Sequence, residues 1–96
     1  MEPMIEIRAI DDAMLDQLVE AAIAGAHPDD VTPPLGQGWT LQRIAWLRRF
    51  HRERAIGFAG PLAERTWAIL EDGWVVGSVR LHLLTPARGE VGIWLT

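Results

Sequence analysis

The sequence predicts an α+β domain with the element order β-α-α-β-β-β, in which an antiparallel sheet is completed after two helices. Three observations predict it. Residues 5–8 alternate apolar and polar side chains, residues 11–57 hold two stretches with helical periodicity, and residues 66–96 hold three apolar runs separated by turn residues. A chain of 96 residues has the length of one domain, so residues 1–96 are assigned to a single domain.

The first strand is predicted at residues 5–8 because apolar Ile5 and Ile7 alternate with charged side chains. Either Asp11 or Asp12 is suited to cap a helix by accepting backbone N–H bonds. The helix that follows carries an apolar stripe with spacing i, i+3, i+4 and i+7, made of Leu15, Leu18, Val19 and Ala22. Gly25 is expected to end it.

Residues 26–39 contain three prolines and two glycines, which predicts a loop without regular structure. Loops of this length in small domains are commonly functional or mobile. Thr40 is expected to cap a second helix that runs to about Gly57, where Gly57, Gly60 and Pro61 end it.

The last third predicts a meander of strands. Asp72-Gly73 between apolar runs is typical of a type I′ hairpin turn, which needs positive φ at both central residues. This turn would pair Leu70 with Val75 and Ala68 with Gly77.

A second hairpin is expected across residues 85–89, with Leu84 opposite Glu90. This register brings apolar residues together on one face, and Arg80 opposite Trp94 on the other. The apolar pairs it predicts are Leu83 with Val91, Leu81 with Ile93, and Val79 with Leu95.

Composition excludes several classes of function. The net charge is −4, with nine Arg and no Lys, which argues against a nucleic-acid partner because phosphate binding needs a concentrated basic face. The chain has no Cys, so disulfides and thiolate metal sites are excluded. Three scattered His residues lack ligand spacing, so no metal is expected. With no signal peptide and no membrane-spanning run, the prediction is a cytoplasmic protein without a membrane partner.

Residues 74–81, which follow the Asp-Gly turn and read WVVGSVRL, resemble the third strand of the GNAT superfamily of N-acetyltransferases. Residues 90–95, EVGIWL, are similar to the fourth strand of that family, and Ile7-Arg8 before an acidic helix start resembles its first strand and helix. The resemblance covers about Ile5 to Thr96. It implies an acetyl transfer from the cofactor acetyl-CoA to a primary amine on a small molecule or peptide.

The resemblance also implies roles for individual residues. Glu90, at the start of the fourth strand, matches a general base that deprotonates the amine; the alternative is an exposed strand-start charge. The backbone of Ile93, Trp94 and Leu95 matches the segment that pairs with the pantetheine arm of acetyl-CoA.

Two residues of the first half are candidates for contact with the amine. Trp39 ends the loop that usually shapes the acceptor pocket in GNAT enzymes, and the alternative for it is packing in the core. Asp30, together with Asp29, would attract a cationic amine, or else form a turn after Pro28.

After its fourth strand a GNAT enzyme has an Arg/Gln-x-x-Gly-x-Gly/Ala run that binds the pyrophosphate of acetyl-CoA at a helix N-terminus. No such run follows Leu95 within these 96 residues. The expectation is therefore an N-terminal part of a GNAT domain that is inactive alone, with an open last strand that forms a homodimer. Two alternatives remain open: a non-catalytic GNAT-derived module for dimerisation or partner binding, and an unrelated α+β ligand-binding domain.

Overall fold

The computed structural model describes residues 2–96 as one sheet with helices against it. The elements are β1 (Ile5–Ala9), α1 (Asp12–Gly25), α2 (Pro28–Val31), α3 (Leu41–Glu53), a 3-10 turn (Gly57–Ala59), β2 (Glu64–Glu71), β3 (Trp74–Thr85) and β4 (Arg88–Leu95). The strands lie in the order β1-β2-β3-β4, and every neighbouring pair is antiparallel. The α+β class and the antiparallel sheet are thus confirmed, with three α-helices instead of two. None of the helices in residues 2–96 is long and apolar enough to cross a bilayer.

Both predicted helix caps are confirmed. The Asp11 carboxylate accepts a hydrogen bond from the backbone N–H of Met14 at 2.8 Å, and the Thr40 hydroxyl accepts one from the N–H of Arg43 at 3.2 Å. Each bond satisfies a donor that the first turn of a helix otherwise leaves free. The caps therefore fix where α1 and α3 begin.

The helices cover one face of the sheet. All four residues of the predicted α1 stripe are buried there, and they pack with Leu47 of α3 and with Ala68 and Leu70 of β2. The opposite face is apolar but open: Ile7 keeps 61% of its surface exposed and Ile93 keeps 60%. The core of residues 2–96 is therefore two layers thick.

The loop predicted without regular structure contains a short helix, so that prediction is wrong for α2. Pro28 occupies its first turn, where a missing N–H costs nothing, and His27 caps it by accepting the N–H of Asp29 at 3.1 Å. Proline breaks a helix in its interior but is tolerated at the first position, so the prolines of residues 26–39 do not exclude α2.

Arg43 holds this segment against α3. Its side chain is 3% exposed, and its guanidinium donates to the Asp29 carboxylate at 2.7 Å, the Gly36 carbonyl at 2.6 Å and the Thr32 hydroxyl at 3.3 Å. The Arg43 guanidinium, through its hydrogen bond, lowers the pKa of Asp29 below its usual value. One buried cation thus gathers three separate points of residues 28–36.

The strand registers differ from the predicted ones in two places. The Asp72-Gly73 turn is confirmed, with φ of +50° and +87°, and Leu70 pairs with Val75. A bulge then intervenes, so that Ala68 pairs with Ser78 instead of Gly77.

In the second hairpin the predicted register is wrong by two residues. Arg80 lies opposite Gly92, not Trp94, and the turn is tighter than expected because β3 continues to Thr85, which pairs with Arg88. A shift of two leaves the same side chains of β3 and β4 together on each face of this hairpin, since the period of a strand is two. The apolar pairs observed are Leu81 with Val91, Val79 with Ile93, and Gly77 with Leu95.

Candidate functional site

A cleft of about 220 Å³ lies between the helices and the β3–β4 hairpin, on the helix-covered face of the sheet. Helices α2 and α3 form one wall and strands β3 and β4 form the other. Its lining combines aromatic, charged and neutral polar side chains, contributed by Asp30, Trp46, Phe50, His51, Ser78, Arg80 and Trp94 among others.

Aromatic rings dominate the helix side of the cleft. Trp46 and Phe50, one turn apart on α3, stack with centroids 4.9 Å apart and an interplanar angle of 25°. Phe50 meets the ring of His51 edge-on at 5.1 Å. Trp94 adds a third aromatic side chain from β4. Stacked rings of this kind offer a flat apolar surface with negative faces, which suits apolar or cationic groups.

His51 is one of two buried polar residues that line the cleft, the other being Ser78. Only 2% of its surface is exposed, and its Nδ1 lies 2.8 Å from the Thr66 hydroxyl of β2. Its Nε2 has no hydrogen-bond partner among residues 2–96. Burial, and then the positive charge of Arg54, lower the pKa of His51 to about 4. The imidazole is therefore neutral at neutral pH.

Four alternating charges connect α3 to β4 along the cleft. Arg54 donates to Glu64 at 2.9 Å, Arg80 approaches Glu64 at 3.7 Å, and Arg80 donates to Glu90 at 3.2 Å. Two cations and two carboxylates leave this chain of ion pairs neutral. The guanidinium of Arg80, which lines the cleft, is thereby matched by a carboxylate on each side.

Asp30 supplies the remaining charge at the cleft. It lies in α2, is exposed to solvent, and forms no ion pair within residues 2–96. Since Arg80 is already matched by Glu64 and Glu90, and His51 is neutral, the uncompensated charge of the cleft is negative. Electrostatics here favour a positively charged ligand.

The structure brings some of the sequence-predicted residues together. Asp30, Ile93 and Trp94 all line the cleft. Glu90 is connected to it through its hydrogen bond with Arg80. Leu95 points to the opposite face, where with Ile5 and Ile69 it borders an open apolar groove of about 540 Å³ that Ile93 also borders.

Trp39 lies apart from the cleft lining. Its indole N–H donates to the carbonyl of Ala26 at 3.1 Å, at the end of α1, and its ring packs against the core cluster. Trp39 therefore packs against the core cluster and is not among the residues that line the cleft.

Sequence reasoning did not single out His51 or Arg80. A pattern for His51 exists, because it continues the apolar stripe of α3 that Ile44 and Leu47 begin, with spacing i, i+3 and i+7. A polar ring on such a stripe is buried and needs partners. Arg80 had no comparable signature, because its role depends on two carboxylates from other strands.

The run RAIGFA, from Arg54 to Ala59, has the letters of the Arg/Gln-x-x-Gly-x-Gly/Ala pattern but not its structural setting. It lies where α3 ends, before β2, and opens only the 3-10 turn Gly57–Ala59, not an α-helix. Its amides are used within the turn: the N–H of Gly57 donates to Arg54 and that of Gly60 donates to Gly57. The Arg54 side chain covers the Phe50 ring at 3.7 Å. The glycine amide at the centre of the run is thus already used within the turn.

Within residues 2–96 no group of three His, Cys, Asp or Glu side chains is placed to hold a metal ion. Comparison with known proteins gives no match, neither among protein-family models nor among curated proteins. The candidate site is therefore described by its geometry alone. It is a small aromatic cleft with a negative charge at its rim and a buried, neutral imidazole, of which one ring nitrogen is hydrogen-bonded and the other is not.

Proposed function

We propose that residues 2–96 form the acceptor-binding part of a GNAT-type N-acetyltransferase, which transfers an acetyl group from acetyl-CoA to a primary amine. The observation that carries the proposal is the position of the cleft. It lies against β4, beside the Arg80–Glu90 pair, on the helix-covered face of a β1-β2-β3-β4 antiparallel sheet. The negative rim agrees with a substrate that arrives as an ammonium ion.

Glu90 is the proposed proton acceptor. An ammonium group must lose a proton before its nitrogen can attack an acyl carbon, and a carboxylate can take that proton directly or through water. Arg80 holds the Glu90 carboxylate at 3.2 Å. In this role Arg80 positions the base, and Glu64 fixes Arg80 from the other side.

We infer that residues 2–96 supply only part of an acetyl-CoA site. The outer edge of β4 forms no strand pair within these residues, so its backbone N–H and C=O groups are available to an extended amide-containing arm. The Arg/Gln-x-x-Gly-x-Gly/Ala letters occur within residues 2–96 only at the turn after α3, where the N–H of Gly57 is already bonded to Arg54. We therefore propose that these residues alone bind an acceptor without transferring acetyl groups, and we place the protein in the cytoplasm.

The coding sequence beyond the codon for Thr96 is the first test. An Arg/Gln-x-x-Gly-x-Gly/Ala run shortly after that codon would support the acetyltransferase proposal. The whole coding region is then expressed and tested with acetyl-CoA and a panel of amines. Mass spectrometry separates an acetylated small-molecule substrate from self-acetylation of the protein.

In that protein Glu90→Gln is expected to lower the rate roughly 10²-fold or more, as is typical when a positioned base is removed. Glu71→Gln is the matched control. Glu71 is exposed and lies in β2, opposite Ile5 of β1, away from β4. A stop codon after Thr96, together with no heat of acetyl-CoA binding at millimolar concentration, would contradict the proposal.

The second candidate is a non-catalytic module that pairs with a copy of itself, and the open apolar face favours it. Ile5, Ile7, Val91, Ile93 and Leu95 on that face are each more than half exposed, which is a large apolar patch for a monomer. The free edge of β4 lies beside it. Two copies joined antiparallel along β4 would form one continuous sheet and bury part of the patch.

Sedimentation velocity at micromolar concentration tests self-association. We expect a dimer that Ile93→Lys dissociates, because the substitution puts a charge on the open face beside the pairing edge. Trp74→Lys is the control, since Trp74 is 78% exposed at the far turn of β3. A monomer across the whole concentration range would overturn this second candidate.

A further inference from the structure

The cleft has the composition and size to select one class of amine. We infer that it binds a small primary arylalkylamine, with the ring against Trp46, Phe50 and Trp94 and the ammonium group between Asp30 and the Nε2 of His51. That this amine is acetylated rests on the proposed function, whereas its binding is argued from the cleft alone.

The size of the cleft limits the ligand to about one ring. A dry cavity of about 150 Å³ holds benzene, and the cleft has about 220 Å³. The remaining volume is enough for a short alkyl chain. Three aromatic side chains line this space, which favours a flat aromatic group over a flexible polyamine chain, because a ring stacks on them over a larger area.

The charge of the ligand follows from the ion pairs around the cleft. Arg80 is matched by Glu64 and Glu90, which leaves Asp30 as the uncompensated group. An anionic ligand would meet Asp30 without a free cation to balance it. A cation is attracted both by Asp30 and by the negative faces of the rings.

The imidazole of His51 supplies a directional contact. Its Nε2 is buried and unpartnered within residues 2–96, although the ring lines the cleft. Such an atom is unfavourable until a ligand or a water completes it. If Nδ1–H donates to the Thr66 hydroxyl, Nε2 carries a lone pair, and an ammonium N–H is its complement.

The test measures binding without acetyl-CoA, by calorimetry at pH 7. The ligands are 2-phenylethylamine, the neutral 2-phenylethanol, and the non-aromatic 1,4-diaminobutane. We expect 2-phenylethylamine to bind best, and each of the other two to bind roughly tenfold or more weakly, because each lacks one of the two recognition elements. Equal binding of all three, or none by 2-phenylethylamine at millimolar concentration, would overturn the inference.

Two further measurements assign the contacts. Asp30→Asn is expected to weaken 2-phenylethylamine roughly three- to fivefold, as for an exposed ion pair, whereas Glu20→Gln on the exposed surface of α1 leaves its binding unchanged. In ¹⁵N spectra of labelled imidazoles, the ligand is expected to shift Nε2 of His51 and not the ring nitrogens of His27 or His82, which do not line the cleft. A His51 resonance unmoved by saturating ligand would contradict its contact with the ammonium group.

The outcomes also separate this inference from the proposed function. Binding of 2-phenylethylamine, with no acetyl transfer to any amine by the whole coding region, removes the acetyltransferase proposal and leaves the ligand class standing. Acetyl transfer to 1,4-diaminobutane, with no binding or acetylation of 2-phenylethylamine, supports the enzyme and removes the ligand class.

Discussion

The Nδ1 of His51 lies 2.8 Å from the hydroxyl oxygen of Thr66, so a buried hydrogen bond joins the last turns of α3 to the start of β2. It lies beneath the cleft and fixes the imidazole ring in place. The same burial that orients the ring lowers its pKa to about 4, and this makes the stability of the domain sensitive to pH.

The free energy of unfolding is expected to fall by about 2 kcal/mol between pH 7 and pH 5 because of His51. Below about pH 6.5 the unfolded chain takes up a proton on this residue, whereas the folded protein does so only near pH 4. The contribution of His51 to stability is therefore fully present above about pH 6.5 and is lost as the pH falls toward 4. Urea unfolding at both pH values measures it. His51→Asn should remove most of the slope and His27→Asn, at an exposed cap, should not.

Arg43→Met is expected to cost about 2–3 kcal/mol, because the substitution removes charge-assisted hydrogen bonds to Asp29 and Gly36. Hydrogen exchange should rise across residues 28–40 while α1 stays protected. Arg49→Met is the control, since Arg49 is exposed and forms only a 3.6 Å pair with Glu53, worth less than about 0.5 kcal/mol. Unchanged exchange in residues 28–40 would show that Arg43 does not hold the segment.

Gly77→Ala is expected to destabilise the β3–β4 hairpin by about 1–3 kcal/mol. A Cβ at Gly77 would overlap the carbonyl oxygen of Trp94, a backbone atom that cannot move aside without separating the strands. Gly89→Ala is the matched control in the same hairpin, because its Cβ meets mainly the flexible end of Leu81. Thermal unfolding of both variants measures the difference in their stability. Equal melting temperatures would contradict the close approach of β4 to Gly77.

Glu64→Gln is expected to cost about 1–3 kcal/mol, because it leaves Arg54 without its 2.9 Å carboxylate partner in a nearly buried place. The substitution also frees Arg80 from one side, so the binding of a cationic ligand in the cleft should weaken. Glu53→Gln, at an exposed carboxylate, is the control for stability. Denaturant unfolding and calorimetry on the same samples separate the two effects.

Local rules predicted where α1 and α3 begin and where β2 turns into β3, but α3 ends at Glu53, before its predicted end near Gly57. Asp11 and Thr40 are short polar residues before apolar stripes. Asp72-Gly73 forms a turn that needs positive φ at both residues, which few residue types adopt. Each of these features depends on neighbours within four residues. The α+β class followed from them.

The features that were wrong or missed depend on distant residues. The bulge after Ile69 shifted the β2–β3 register by one residue, which puts Ser78 and Arg80, instead of Gly77 and Val79, on the same face as Ala68. The tight turn at Thr85 shifted the β3–β4 register by two residues, which leaves the faces of β3 and β4 matched as predicted. The burial of Arg43 and His51 arises only once α2, α3 and β2 meet. The cleft was therefore anticipated only through Asp30, Ile93 and Trp94, and its central groups appeared with the tertiary structure.

The position of β1 at an edge of the sheet, paired only with β2, implies an order of assembly. Strands β2, β3 and β4 are joined by tight turns, so their contacts can form between near neighbours in the chain. The pairing of Ile5 with Glu71 must close a chain segment that contains all the helices, and closure over such a distance is slow. We therefore expect β1 to be the last strand to join the sheet during folding, after the meander of β2–β4.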